Sequence, residues 1–224
     1  AYAALSLPRR ERLHRRAAET IERLHARNLT QHLAALASHY RLAGALADLE
    51  KTIGYLIGAG ETAMTAFAYE ETVVQWQAAI ALLAADAAAA VPRARLLFRL
   101  GEVMFVLGYD KYDEAIASLE QACALFEALG ETQQAAQAHS RLGRSLIASN
   151  AATMDLARGL KHLHSAERLM GEMPESDALG FVKASLASAC VFGMKTGEGL
   201  AHATHAMSIA GVSGNERLWL GGPT

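Results

Sequence analysis

The stretch Tyr112-Asp113-Glu114-Ala115-Ile116-Ala117-Ser118-Leu119-Glu120-Gln121-Ala122 decides the fold, because its spacing recurs along the chain. Ala115 is a small anchor with Ile116 directly after it, Leu119 four places on and Ala122 seven. The same order follows Thr52 (Ile53, Leu56, Ala59), Thr72 (Val73, Trp76, Ala79), Gly159 (Leu160, Leu163, Ala166) and Gly199 (Leu200, Ala203, Ala206). Offsets of 0, 4 and 7 share one helix face, and alanine at the last lets a neighbouring helix approach closely. Trp76 is a core residue in this register, since it aligns with Leu56, Leu119 and Leu163.

Ahead of three anchors lies a second signature, Leu100-Gly101, Leu142-Gly143 and Leu186-Ala187, whose small second residue again permits tight helix contact. Each unit is therefore a helical hairpin that buries its apolar face against its neighbours. Thr52 and Thr72 lie only 20 residues apart, too close for a whole hairpin between equivalent positions, so the first units are expected to be irregular or to share one continuous helix. Nearer the start, Pro8 suits a first helical turn, and Leu13, Ala17, Ile21 and Leu24 form one face of a helix over 6–25. A second helix over 29–43 carries Leu33, Leu36, Ala37 and Tyr40, with Gly44 as its terminator. An Ala- and Leu-rich composition with four prolines leaves no credible strand, and the expected fold class is all-α, a right-handed array of helical hairpins. The expected division is a helical pair over 1–45, irregular first repeats over 46–92, repeats over 93–212 and a tail over 213–224, cut short if the chain is a fragment.

The residues Leu100-Gly101, Tyr112 to Ile116, Leu119 and Ala122 resemble a tetratricopeptide repeat. The leucine-glycine positions 100, 142 and 186 are 42 and 44 apart, longer than the ~34-residue repeat of that family, with extra residues near 109–111 and 149–154. The run Leu7 to Arg16, then His32-Leu33-Ala34, His39-Tyr40, Ala59-Gly60-Glu61 and Tyr69-Glu70-Glu71, resembles the region that follows the ATPase core in large multidomain signalling ATPases. Those include nucleotide cyclases fused to an ATPase and ATP-dependent transcriptional activators. The resemblance implies a protein- or peptide-binding module serving as the regulatory or sensor arm of such an ATPase. The alternatives it leaves open are the regulatory tail of a class III cyclase and a stand-alone scaffold.

Chemistry was sought in the remaining residues. A phosphate-binding loop needs GxxxxGK[ST]; Gly58-Ala59-Gly60-Glu61 lacks the lysine and sits inside helical repeat pattern. The histidine pairs His162/His164 and His202/His205 have no HExxH arrangement, and solvated helix positions are expected for them. No GxSxG elbow occurs, and Cys123 and Cys190 lie in apolar helical runs without a CxxC spacing. No catalytic machinery and no cofactor or metal are therefore expected. Unpaired buried cysteines and the absence of an 18-residue apolar run point to a cytoplasmic protein without a membrane span. A formal charge of -2 gives no global field for nucleic acid.

Two surfaces remain as candidates. Arg9, Arg10, Arg12, Arg15 and Arg16 make the first helix basic, and without interleaved aromatics the patch suits docking onto an acidic domain better than nucleic acid. In a tetratricopeptide array the first helix of each hairpin lines the concave face. By register the resemblance places Phe98, Glu102, Phe105 and Val106, then Ser140, Arg144 and Ile147, then Ala184, Ser188 and Val191 on that groove. The partner implied is a protein or peptide, another domain of the same chain included, with Phe105 anchoring an apolar side chain and Glu102 and Arg144 orienting it by charge.

Overall fold

The structure, a computed structural model, describes residues 5–148, 154–171 and 176–213. The expected tail beyond residue 213 and most of the extra residues at 149–154 lie outside them. Ten α-helices follow in order: α1 (Leu7–Leu24), α2 (Leu33–Leu42), α3 (Leu49–Thr65), α4 (Tyr69–Leu83), α5 (Ala90–Leu107), α6 (Tyr112–Ala128), α7 (Thr132–Ala148), α8 (Leu156–Met170), α9 (Asp177–Phe192) and α10 (Thr196–Ser213). Among the described residues there is no strand. Two compact units, Ala1–Leu96 and Leu97–Thr224, divide the chain within α5.

Local chemistry sets the helix starts. Asp48 caps α3 by accepting from the Lys51 amide at 3.0 Å, and Asp155 caps α8 by accepting from the Arg158 amide at 2.9 Å. Each satisfies an amide that the first turn leaves unpaired. Glu70 and Glu71 in α4, and Asp113 and Glu114 in α6, put negative charge where the helix dipole favours it.

In the first unit α1 packs on α2, α2 on α3 and α3 on α4. The anchors Thr52 and Thr72 lie on opposite arms of one hairpin. The chain turns between Thr65 and Tyr69 with Phe67 at φ 58°, so the short interval reflects neither a continuous helix nor a missing arm. The Thr72 hydroxyl donates to the carbonyl of Ala68, in its own helix, at 3.1 Å and lies 3.2 Å from that of Gly60 on α3. Gly60 is the equivalent of Gly101 and Gly143, a role hidden when Gly58-Ala59-Gly60-Glu61 is read as a glycine cluster.

In the second unit α6 packs on α7, α7 on α8 and on α9, α8 on α9, and α9 on α10. The alanines that close the repeated pattern are all buried: Ala59 4%, Ala79 0%, Ala122 0%, Ala166 0% and Ala206 5% exposed. They fill the seams between helices, as the offset-7 position requires. Trp76 is fully enclosed. At the hairpin tips, the seventh residue after Gly60, Gly101 and Ala187 is Phe67, Gly108 or Met194, and all three have positive φ (58°, 100° and 55°). The turn geometry is thus part of the repeat even though the residue type is not.

Candidate binding groove

The first helices of the hairpins in the second unit, α5, α7 and α9, carry mostly small or polar residues, with Phe98 as the exception, at the positions one turn before and one residue after the glycine seam. On α5 these are Phe98 and Glu102, on α7 Ser140 and Arg144, and on α9 Ala184 and Ser188. The inward-facing seam residues are consumed by the hairpin partner. Gly101 lies against Leu119, and Gly143 against Leu163 and the carbonyl of Gly159. The neighbouring stripe is left to form a surface.

That surface contains two depressions. One, of about 220 Å³, is lined by Phe98, Glu102, Ser140, Arg141 and Arg144 together with Gln137, Met170, Ala178 and Phe181. The other, of about 210 Å³, is lined by Arg144, Ile147, Ala184 and Ser188 with Ala148, Phe181, Ser185 and Phe192. Arg144 and Phe181 belong to both. Each depression is below the roughly 300–1,000 Å³ of a pocket for a whole small molecule, so each suits a single side chain.

The charges are unequal. The Arg141 guanidinium meets the Glu102 carboxylate at 2.8 Å, leaving its Nε–H buried without an acceptor. Burial, then repulsion from Arg141, pulls the Arg144 pKa below the usual guanidinium value, with Glu102 opposing at longer range. An arginine stays protonated throughout the working pH range, so Arg144 is a half-buried positive charge that Glu102 compensates only in part.

Phe105, Val106 and Val191 line neither depression. Phe105 stacks on Tyr112 with ring centroids 4.8 Å apart, and Val106 and Val191 are exposed. Arg141, Gln137 and Phe181 enter the groove without having been singled out. Gln137 and Phe181 continue the same stripe one turn toward each helix start, and Arg141 lies within it beside Ser140.

The fold is that of tetratricopeptide-like repeats. The chain is similar to BtubC (BKLC) from P. vanneervenii, at TM-score 0.66 and 16% identity over 94% of this chain and 93% of that one. It is similar to the putative kinesin light chain tetratricopeptide-like repeats of Podosopora anserina, at TM-score 0.66 and 15% identity over 93% and 98%. It is also similar to a signal transduction ATPase with numerous domains from Pyrococcus horikoshii that has a tetratricopeptide repeat sensor. There the TM-score is 0.63 and the identity 16%, over 86% of this chain and 29% of that one. No family model matches the sequence, and no curated protein matches it either.

Elsewhere, the basic helix α1 presents Arg9, Arg12, Arg15 and Arg16 around Leu13 and Leu46. Arg15 pairs with Glu19 at 2.8 Å, and Arg10 is drawn back to the Leu5 carbonyl at 3.0 Å. Of the histidines expected at solvated positions, His164 is exposed, whereas His162 and His202 are partly buried. His162 is half-buried, with its Nδ1 2.8 Å from Nδ1 of the buried His139, whose Nε2 lies 2.9 Å from Glu127. Burial, then the neighbouring His139, lowers the His162 pKa. His202 is lowered by burial, with Glu167 opposing. Among the described residues no cluster of histidine, cysteine and carboxylate can hold a metal ion. Burial pushes the Cys123 thiol up to about 12, which leaves it a packing group, not a nucleophile. No helix among the described residues is long and apolar enough to cross a membrane.

Proposed function

We propose that this chain is a protein- or peptide-binding helical-repeat module whose groove on α5, α7 and α9 receives an extended segment of a partner, and that it serves as the regulatory or sensor arm of a larger signalling ATPase. The observation that carries the binding role is the pair of adjoining side-chain-sized depressions sharing Arg144 and Phe181. An extended peptide has side chains at the regular intervals that such a row accepts. The regulatory role is supported by the likeness to an ATPase whose sensor is a tetratricopeptide repeat. Binding acts on attached domains to the extent that the partner prefers one of their arrangements. The arginines Arg9, Arg10, Arg12, Arg15 and Arg16 on α1 are the surface assigned to docking an acidic domain.

The test is selection from a displayed library of random dodecamer peptides against the whole chain, with Ala184→Trp, which fills one depression, as counter-target. The expected result is a set of clones that bind the chain and lose at least tenfold in affinity for the filled variant. Clones that bind both proteins equally would remove the groove from consideration.

A further inference from the structure

The groove has a chemical preference that follows from its unmatched charge. Two guanidinium groups, Arg141 and Arg144, face one carboxylate, Glu102. Arg141 holds that carboxylate at 2.8 Å. Among the described residues Arg144 has no hydrogen-bonded or ion-paired partner, though it sits half-buried between the two depressions. A half-buried guanidinium keeps only part of its hydration, and a carboxylate brought in by a ligand can pair with it through charge-assisted hydrogen bonds that the partly buried setting strengthens. On either side of Arg144 the walls are apolar. Phe98, Met170 and Phe181 bound one depression, while Ile147, Phe181 and Phe192 bound the other.

We infer that the segment received by the groove carries an acidic residue between two apolar side chains, the carboxylate on Arg144 and the apolar groups in the depressions to either side. This rests on the peptide-binding reading above and narrows it. The Glu102–Arg141 pair acts as a fixed wall. Its two charges compensate each other, so the one unpaired positive charge, on Arg144, sets a single acidic position in the motif.

The experiment uses the peptides selected from the dodecamer library, resynthesised with each Glu changed to Gln or Asp to Asn, and measured by calorimetry against the wild-type chain, Arg144→Gln and Arg144→Lys. The expected result is an acidic position flanked by apolar ones in the selected set. Neutralising that position should weaken binding at least tenfold to the wild type and less than twofold to Arg144→Gln, with Arg144→Lys intermediate. Unchanged melting of the Arg144 variants shows that the loss is not unfolding. Peptides that need the groove, as judged by Ala184→Trp, but are indifferent to neutralisation would overturn this inference and leave the peptide-binding reading standing. A library that yields no groove-dependent clone would overturn both.

Discussion

Gly60 in the first unit and Gly143 in the second occupy the same place in the repeat and are glycine for different reasons. A methyl group on Gly60 would lie 2.3 and 2.4 Å from ring atoms of Trp76. On Gly143 it would lie 2.8 Å from Leu163 Cγ and 2.8 Å from the carbonyl oxygen of Gly159. The first seam is closed by one large side chain and the second by a close approach of two helix backbones. The last hairpin carries Ala187 at this position, with Ala203 at the place in the repeat that Leu163 and Trp76 hold elsewhere. A β-carbon is therefore compatible with the seam when the opposing residue is small.

The largest expected effect comes from emptying the bulky seam. Trp76 is fully enclosed, and Trp76→Ala is expected to cost about 3–5 kcal/mol, read from urea unfolding followed by circular dichroism. A loss below about 1 kcal/mol would mean that the seam collapses around the deletion, and the contrast with Gly143 would weaken.

Next come the glycines themselves. Gly60→Ala and Gly143→Ala are each expected to cost about 1–3 kcal/mol through overpacking. In the Trp76→Ala background Gly60→Ala is expected to cost less than in the wild type, because the atoms nearest the added methyl all belong to the indole. In the Leu163→Ala background Gly143→Ala still destabilises, since the Gly159 carbonyl is untouched. Equal rescue in both double-mutant cycles would show the two seams to be of one kind.

The same contrast bears on what the sequence could convey. A requirement for small residues at offsets 0 and 7, and for glycine or alanine before the seam, is a local steric demand repeated at every hairpin, and it is written directly into residue types. Gly60 was legible only once Thr52 and Thr72 were placed on two arms of one hairpin, which depends on a turn that contains Phe67 where glycine would be the usual sign. Phe98, Glu102, Ser140, Arg144, Ile147, Ala184 and Ser188, the positions that the tetratricopeptide resemblance assigns by register, line the two depressions. The resemblance, not helix periodicity by itself, is what singled out their face. Whether Phe105 faces the groove or stacks on Tyr112 depends on the turn Tyr109–Lys111, and periodicity does not reach around a turn. The burial of His162 comes from His139, 23 residues away on another helix, beyond the reach of any i, i+4 rule.

A smaller effect is expected from acid. Each unit contains a histidine pair, His14–His39 with Nδ1 atoms 2.9 Å apart in the first and His139–His162 at 2.8 Å in the second. Such a bond needs at least one neutral ring. Burial, then the His14 charge, lowers His39, and burial, then His139, lowers His162. A folded-state value below the unfolded one of 6.5 means that the unfolded chain binds protons first. The stabilisation is fully present above that value and is lost as pH falls through the folded values. The melting temperature is therefore expected to decline below pH 6.5, before the second decline expected below 4.5 as Glu22, held low by Tyr55, Lys51 and Tyr40 against its burial, takes up its proton. His162→Gln should flatten part of the first decline and leave the second; an unchanged profile would assign the first decline elsewhere.

The smallest effect concerns the hairpin tips, which differ in residue type but all carry a positive φ. Phe67 and Met194 adopt φ of 58° and 55°, and Gly108 adopts 100°. A side chain in the left-handed region costs roughly 1–2 kcal/mol through the clash of its β-carbon with the backbone, whereas glycine there gives back about 0.5–1 kcal/mol in chain entropy. Phe67 and Met194 are 76% and 90% exposed, so little packing is lost with them beyond the edge contact of Phe67 with Tyr69 at 6.2 Å. Phe67→Gly and Met194→Gly are each expected to stabilise by about 0.5 kcal/mol, and Gly108→Ala to destabilise by about 1 kcal/mol, measured as shifts in the urea midpoint. If Phe67→Gly destabilises instead, the aromatic edge contact outweighs the strain at that tip, and the tips cease to be equivalent in energy although all have a positive φ.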